Sequence, residues 1–324
     1  MGKMDLIYTD ETGRDIGVLL DCEFDLAYGA DENNFTCTVA LEDHCCSYGY
    51  FLHMEGTEYG GVIDALKVDT AAGNVTYSGR TWHGILEGKI LCPDAGQDYL
   101  VLNGEANGVL GQLIARLGLS EQFEASKIHS GTQIVNYKMG RYIGAYTGIK
   151  KMLAAAGAKL ILRYEKQRVN ISAVPLTDYS QDEEWDSSQL DFVIEKKRRP
   201  VNHIICLGKG ELSDRQVIHL YGDAEGNPTA TQTFFGVDEV TEVLDAANAE
   251  SADELLESGK ERLIEGYTGA DSLEVNFQNE ESYDIGDIVG AREEITGTYV
   301  SREIVKKIVT INKNGINIEC QVGE

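Results

Sequence analysis

The chain has 324 residues, 42% apolar and 25% charged, the balance of a folded protein too long for one small core, which excludes a disordered chain. Its 28 Lys and Arg stand against 54 Asp and Glu, a net charge of −26. Such a surface repels phosphate, which disfavours a binder of nucleic acid or of anionic membranes.

The first ninety residues read as a β unit. Phe35, Cys37, Val39 and Leu41 alternate with Thr36, Thr38, Ala40 and Glu42, the period of a strand with one buried face. Tyr50 to Met54, Gly61 to Val68 and Val75 to Gly79 follow as short strands, with Ala71-Ala72-Gly73-Asn74 as a hairpin loop. Short antiparallel strands with tight turns are the pattern of a sandwich or small barrel. From Pro93 the period changes. Val109, Leu110, Leu113, Ile114 and Leu117 share a helical face that ends at Gly118, and a second helix is expected from Gly148 to Ala156 with Gly157 as its stop. Strands Lys159 to Tyr164 and Arg168 to Val174 complete an α+β middle segment, and the acidic stretch Pro175 to Ser188 reads as a surface loop pinned by Tyr179 and Trp185.

Beyond the basic run Lys196-Lys197-Arg198-Arg199, strands Val201 to Leu207 and Val217 to Tyr221 are joined through Gly208-Lys209-Gly210, and Gly222 to Asn227 forms a turn. Ser251 with Glu254 is a capping box opening a helix over 252–265. Leu273 to Val322 then reads as an antiparallel meander. In it Lys313-Asn314-Gly315 turns Arg302 to Ile311 back onto Ile316 to Val322, with Asn-Gly supplying the positive φ angles. The expected fold is α+β, mainly β. Its segments are an N-terminal β-barrel-like domain over 1–92, an α+β middle domain over 93–199, and a C-terminal β-barrel-like domain over 200–324 that contains the helix.

No sequence motif for catalysis survives inspection. Gly208-Lys209-Gly210-Glu211-Leu212-Ser213 lacks the third glycine of a dinucleotide fingerprint and the spacing of a P-loop. His44-Cys45-Cys46 has no Cys-x-x-Cys partner for a metal, and there is neither a Gly-x-Ser-x-Gly elbow nor a His-Glu-x-x-His helix. The doublets Glu183-Glu184, Glu280-Glu281 and Glu293-Glu294 have the carboxylates of a glycosidase, but in so acidic a chain they read as solvated surface. Trp82 beside His83 reads as a strand aromatic that anchors core or interface. No catalytic residue, cofactor or metal is expected. No stretch reaches the roughly 18 apolar residues that span a bilayer. With no charged-then-apolar leader and an odd count of seven cysteines, a soluble, cytoplasmically made protein with reduced thiols is expected, Cys37 and Cys320 being small core residues.

Gly60-Gly61-Val62-Ile63 and the run Val75 to Leu86 resemble the first barrel of phage tail hub proteins, in particular a siphovirus and prophage tail protein family of Gram-positive hosts. Also similar are Arg141-Tyr142, Lys159-Leu160, Pro200 to Gly208, the turn Tyr283-Asp284-Ile285-Gly286-Asp287 and the closing Val322-Gly323. The resemblance covers nearly the whole chain and rests on structural motifs. It implies a non-enzymatic part of a tail tip or baseplate hub: two related β-barrels, three copies in a ring adapting a six-fold tail tube to a three-fold tip, and a place in the virion tail after synthesis in the host cytoplasm. Other tail proteins would be its partners, and DNA would pass through without specific binding. Trp82, Tyr99 and Trp185 are the candidate interface residues. The alternatives are a tail-associated cell-wall hydrolase and a carbohydrate-binding host-attachment module.

Overall fold

The computed structural model describes residues 5–181, 191–196, 200–249, 251–268, 271–276, 283–292 and 299–323. In chain order the first half runs β1 Leu6–Thr9, β2 Asp15–Leu19, β3 Glu23–Gly29, β4 Asn34–Ala40, β5 Phe51–His53, β6 Gly60–Asp69, β7 Asn74–Thr81, α1 Trp82–Glu87, β8 Ile90–Leu91, β9 Val101–Glu105 and α2 Ala106–Arg116. It continues β10 Phe123–Ala125, β11 Gln133–Lys138, β12 Ile143–Gly144, α3 Ala145–Ala154, β13 Ala158–Glu165, β14 Arg168–Pro175 and β15 Asp191–Lys196. The remainder is β16 His203–Leu207, β17 Val217–Gly222, β18 Pro228–Thr229, β19 Thr241–Asp245, α4 Ala252–Thr268, β20 Asp271–Asn276, β21 Ile288–Arg292, β22 Tyr299–Asn312 and β23 Gly315–Val322. The fold is α+β and mainly β.

The chain divides into two compact units, the first within Met1–Asp191, Val275–Arg292 and Tyr299–Gly323, the second within Phe192–Glu274. The first is built on a ten-stranded sheet in the order β2-β1-β5-β6-β7-β4-β3-β22-β21, with β23 on β22. The sequence-based segmentation is therefore redrawn. The final hairpin does not sit with β16 to β19: β22 pairs antiparallel with β3, Ile308 opposite Ala27 and Ile311 opposite Phe24. A two-stranded hairpin is marginal alone. Here it buries Ile304, Val309, Ile318 and Cys320 while capping the edge of β3. Its turn is also one residue off the expected position. Asn312 pairs with Gly315, so Lys313-Asn314 is the loop, and Gly315 alone carries a positive φ, 125°.

The core of the first unit lies under α1, α2 and α3, where Leu86, Val109, Leu110, Leu113, Ile149, Met152 and Leu153 meet Leu162, Val169 and Ile171 of the β10-β14-β13 sheet. The helices α2 and α3 end as their sequences indicate, at Gly118 (φ 70°) and Gly157 (φ 71°). In the second unit, β18-β17-β16-β19 carries α4 on one face. Ile204 and Cys206 of β16 pack against Leu255 and Leu263 of α4, whose first turn is capped by the Ser251 hydroxyl accepting from the Glu254 amide at 3.2 Å. Gly259 sets how near α4 lies, since a Cβ there would come within 2.5 Å of Cys206 Sγ.

Candidate functional site

The turn Tyr283-Asp284-Ile285-Gly286-Asp287 is folded by its own side chains. The Asp284 amide donates to Asp287 Oδ2 at 3.0 Å, and the Asp287 amide to the Asp284 carbonyl at 3.1 Å. Gly286 takes φ 100°, left-handed backbone that suits glycine, and its amide reaches the Ile304 carbonyl of β22 at 2.8 Å. Asp287 is fully buried, and its Oδ1 accepts from the Thr177 amide at 3.0 Å.

Into this turn come two lysines that each strand turns inward. Lys159 Nζ of β13 lies 2.6 Å from Asp287 Oδ2 and 2.7 Å from Asp284 Oδ2, and Lys307 Nζ of β22 lies 3.4 Å from Asp284 Oδ1. Burial alone would raise the Asp284 carboxyl, but Lys307 and Lys159 outweigh it and hold it below the usual range. Lys159 is held above the ordinary lysine value because the two aspartates outweigh the burial that opposes its charge. Two cations and two anions balance, so the cluster is a lock joining β13, the 283–287 turn and β22 within the first unit.

Beside the lock is a cavity of about 200 Å3 lined by Tyr28, Glu58, Tyr59, Arg163, Asp284 and Lys307. Glu58 also faces His83, with Oε2 3.6 Å from Nε2. His83 is stacked on Tyr28 at 4.1 Å and edged by Tyr146 at 5.2 Å. Burial pushes the His83 pKa down against the pull of Glu58, so at neutral pH the ring is a neutral packing element.

The expected interface residues part company. Trp82 does not lie in a strand. The Thr81 hydroxyl accepts from the Gly84 amide at 3.2 Å and starts α1, which turns Trp82 inward against Tyr164, stacked at 5.2 Å, and Phe51, edge-on at 5.8 Å. At 1% exposure it is core rather than a surface anchor. Tyr99 is 45% exposed, with Lys138 Nζ 5.6 Å from its ring. Trp185, the doublets Glu183-Glu184, Glu280-Glu281 and Glu293-Glu294, and Lys197-Arg198-Arg199 lie outside the described residues.

The second unit holds a polar chain that no motif announced. His203 Nδ1 is 2.7 Å from Glu239 Oε1, and His203 Nε2 is 2.8 Å from His219 Nδ1. A carboxylate oxygen accepts, so His203 Nδ1–H donates to Glu239, which leaves His203 Nε2 to accept from His219 Nδ1–H. Tyr221 lies over His203 at 4.4 Å between ring centres. The signal in the sequence was the hairpin itself, which sets Ile205 opposite His219 and His203 opposite Tyr221. Likewise Lys159 and Lys307 stand out as lone lysines on the inward phase of apolar strands, and Glu58 had no signal.

The glycines of the segments that resemble tail hubs serve close packing. A Cβ on Gly79 would sit 1.8 Å from the Val62 carbonyl oxygen, and one on Gly61 would sit 2.0 Å from that of Arg80. Only hydrogen fits where β6 and β7 cross at this bulge. Among the described residues, no group of three or more His, Cys, Asp or Glu is arranged to hold a metal ion, and no helix is long and apolar enough to cross a membrane.

Neither a family model nor a curated protein matches the sequence. Among solved structures the chain is similar to the tail protein from Neisseria meningitidis MC58, at 13% identity and a TM-score of 0.48 over 99% of this chain and 96% of that one. It is similar to prophage tail protein gp18 from Listeria monocytogenes EGD-e, at 15% identity and 0.48 over 98% and 94%. A third similar structure is the 43 kDa tail protein of prophage MuSo2 from Shewanella oneidensis, at 10% identity and 0.47 over 99% and 98%.

Proposed function

We propose that the chain is a structural component of a bacteriophage or prophage tail, placed at the tip or baseplate hub, where three copies form a ring joining the tail tube to the tip. It works by shape and assembly, and its partners are further copies of itself and other tail proteins. The observation that supports this reading most is the use to which the hub-like segments are put. Gly61 and Gly79 let two strands touch, while Lys159 and the Tyr283–Asp287 turn, together with Lys307, make a charge-balanced lock. These segments build the body of the sheet. The charge fits the same reading. Three copies carry three times −26, and an acidic bore lets a polyanionic genome slide past without sticking. Barrel-like closure of the strands in the ring and synthesis in the host cytoplasm belong to the same proposal.

The test is the mass in solution by light scattering, alone and mixed with tail-tube and distal tail proteins of the same phage. The expected assembly has three times the 35.6 kDa of one chain. A chain that stays single in the presence of both partners overturns the ring, and clearing of cell-wall zymograms by the purified protein overturns the non-enzymatic reading.

A further inference from the structure

Charge is unevenly spread in the first unit. Residues 126–164 include seven Lys and Arg and no Asp or Glu, whereas residues 5–25 include seven Asp and Glu and a single Arg. In a chain of net charge −26 the first of these runs stands against the trend. Each run lies beside apolar side chains left open to solvent.

Main-chain pairing stitches part of the basic run to two other segments. Val101 of β9 lies opposite Lys138 of β11, the Met139 amide donates to the Leu100 carbonyl at 2.9 Å, and Ile90 and Leu91 of β8 lie opposite Gly144 and Ile143 of β12. Residues 89–91, 99–101 and 138–144 thereby form one patch. It exposes Ile90, Tyr99, Val101 and Tyr142, the last at 66%. Lys89, Lys138 and Arg141 are exposed among them, make no ion pair among the described residues, and share these segments with no acid, Asp98 standing just outside. Lys138 Nζ lies 5.6 Å from the centre of the Tyr99 ring and the Arg141 guanidinium 5.7 Å from that of Tyr142, so two of the cations are held on aromatic faces without being neutralised. Tyrosine, arginine and aliphatic groups together are the make-up of a protein contact.

The acidic run surrounds β2, an edge of the ten-stranded sheet that pairs on one side only, with β1. Ile16 and Val18 of β2 and Leu20 just beyond it are exposed, Leu20 at 70%, and the strand has neither Lys nor Pro to guard its open edge. Asp21 and Glu23 beside them are exposed and pair with no cation among the described residues. An anionic apolar edge is the complement of a cationic apolar patch. Duplex DNA would answer the cations but would set Ile90 and Val101 against phosphate, and the net charge of the chain repels it.

We infer that the β2 edge of one copy docks on the Lys89, Lys138 and Arg141 patch of a second copy. Ile16, Val18 and Leu20 meet Ile90, Val101 and Tyr142, while Asp21 and Glu23 meet the cations. Edge and patch are different surfaces of one chain, so the contact joins copies head to tail and closes into a ring when the rotation closes. It rests on the ring proposed above and names the surfaces that make it.

Charge reversal tests the contact, read as the mass of the full chain in solution with tail-tube and distal tail proteins of the same phage present. Lys138→Glu with Arg141→Glu, and separately Asp21→Lys with Glu23→Lys, are expected to lose the assembly of copies, with the melting temperature of the parent kept because all four side chains are exposed. All four changes in one chain set the opposite charges facing each other again in exchanged places and are expected to restore the assembly. That rescue separates a broken contact from a broken fold. Assembly by either reversed variant, or none by the fourfold variant, overturns this contact and leaves the ring standing, whereas a parent that stays single overturns the ring and the contact with it. Duplex DNA retained by the parent and released by Lys138→Glu with Arg141→Glu would assign the patch to nucleic acid and overturn the contact as well.

Discussion

The two compact units treat their inward polar groups in opposite ways. In the first, Lys159 and Asp287 are sealed under the sheet, at 2.6 Å, with every charge matched. In the second, Glu239, His203 and His219 form a chain that runs from a partly buried carboxylate to an exposed ring, over a core that among the described residues centres on Ile204, Cys206, Leu255 and Leu263. A buried pair costs desolvation and so contributes modestly to stability as a pair, but removing one partner strands a charge. Under a thin core, the polar chain sits where water can stand in for a lost partner. The first unit should therefore be brittle to charge changes and the second to loss of apolar volume.

Asp287→Ala attacks the first half of that contrast most strongly. It leaves Lys159 buried with half its compensation and takes the acceptor from Thr177, so a loss of about 3–5 kcal/mol is expected in urea unfolding of the first unit. An unfolding midpoint equal to that of the parent would show that the lock is idle. Leu263→Ala attacks the second half. A fully buried leucine truncated in so small a core is expected to cost about 2–5 kcal/mol, with loss of amide protection confined to β16, β17 and α4 by hydrogen exchange.

Acid sharpens the comparison. His53 and His83 are held below the ordinary histidine value by burial, against the pull of Asp15 and Glu58. Their contribution is present above the unfolded value of about 6.5 and is lost as pH falls below it and through their lower folded values. Asp284, also held low, loses its contribution further down, below about 3.9. Lys159, held high, keeps its contribution below about 10.4 and loses it as pH rises through its folded value. Thermal melts of the first unit should fall in two steps on the acid side, and a melting temperature flat from neutral pH to about 4 contradicts this assignment. The smallest effect is expected at the β13–β14 hairpin, where Lys166 and Gln167 hold φ of 54° and 64°. Replacing them with Asn-Gly suits that turn and should add up to about 1 kcal/mol, read as a small rise in melting temperature.

What was legible in the sequence was local. Gly73 closing the Asp69–Asn74 hairpin, the glycine stops of α2 and α3, the Ser251 cap of α4 and the inward phase of Cys37 and Cys320 each depend on neighbours a few residues away. The mainly β character followed from them. What stayed hidden needed partners far along the chain. Pairing of β22 with β3 spans almost the whole sequence, and neither strand's alternation names the other. Lys159 and Lys307 could be flagged as inward lysines, yet nothing local says that Asp284 and Asp287 answer them. Trp82 was misplaced because alternation through Val75 to Gly79 runs on into a residue that the Thr81 cap turns into a helix.

The proposed assembly at the end of a tail is tested most directly by location. Particles carrying this chain with an epitope on an exposed loop, such as Gly236–Asp238 where Val237 is 95% exposed, can be gold-labelled and imaged by electron microscopy. Gold at the tail tip, up to three grains on each particle, is the expected result. Gold along the tube or on the head, or particles complete without the chain, would contradict it.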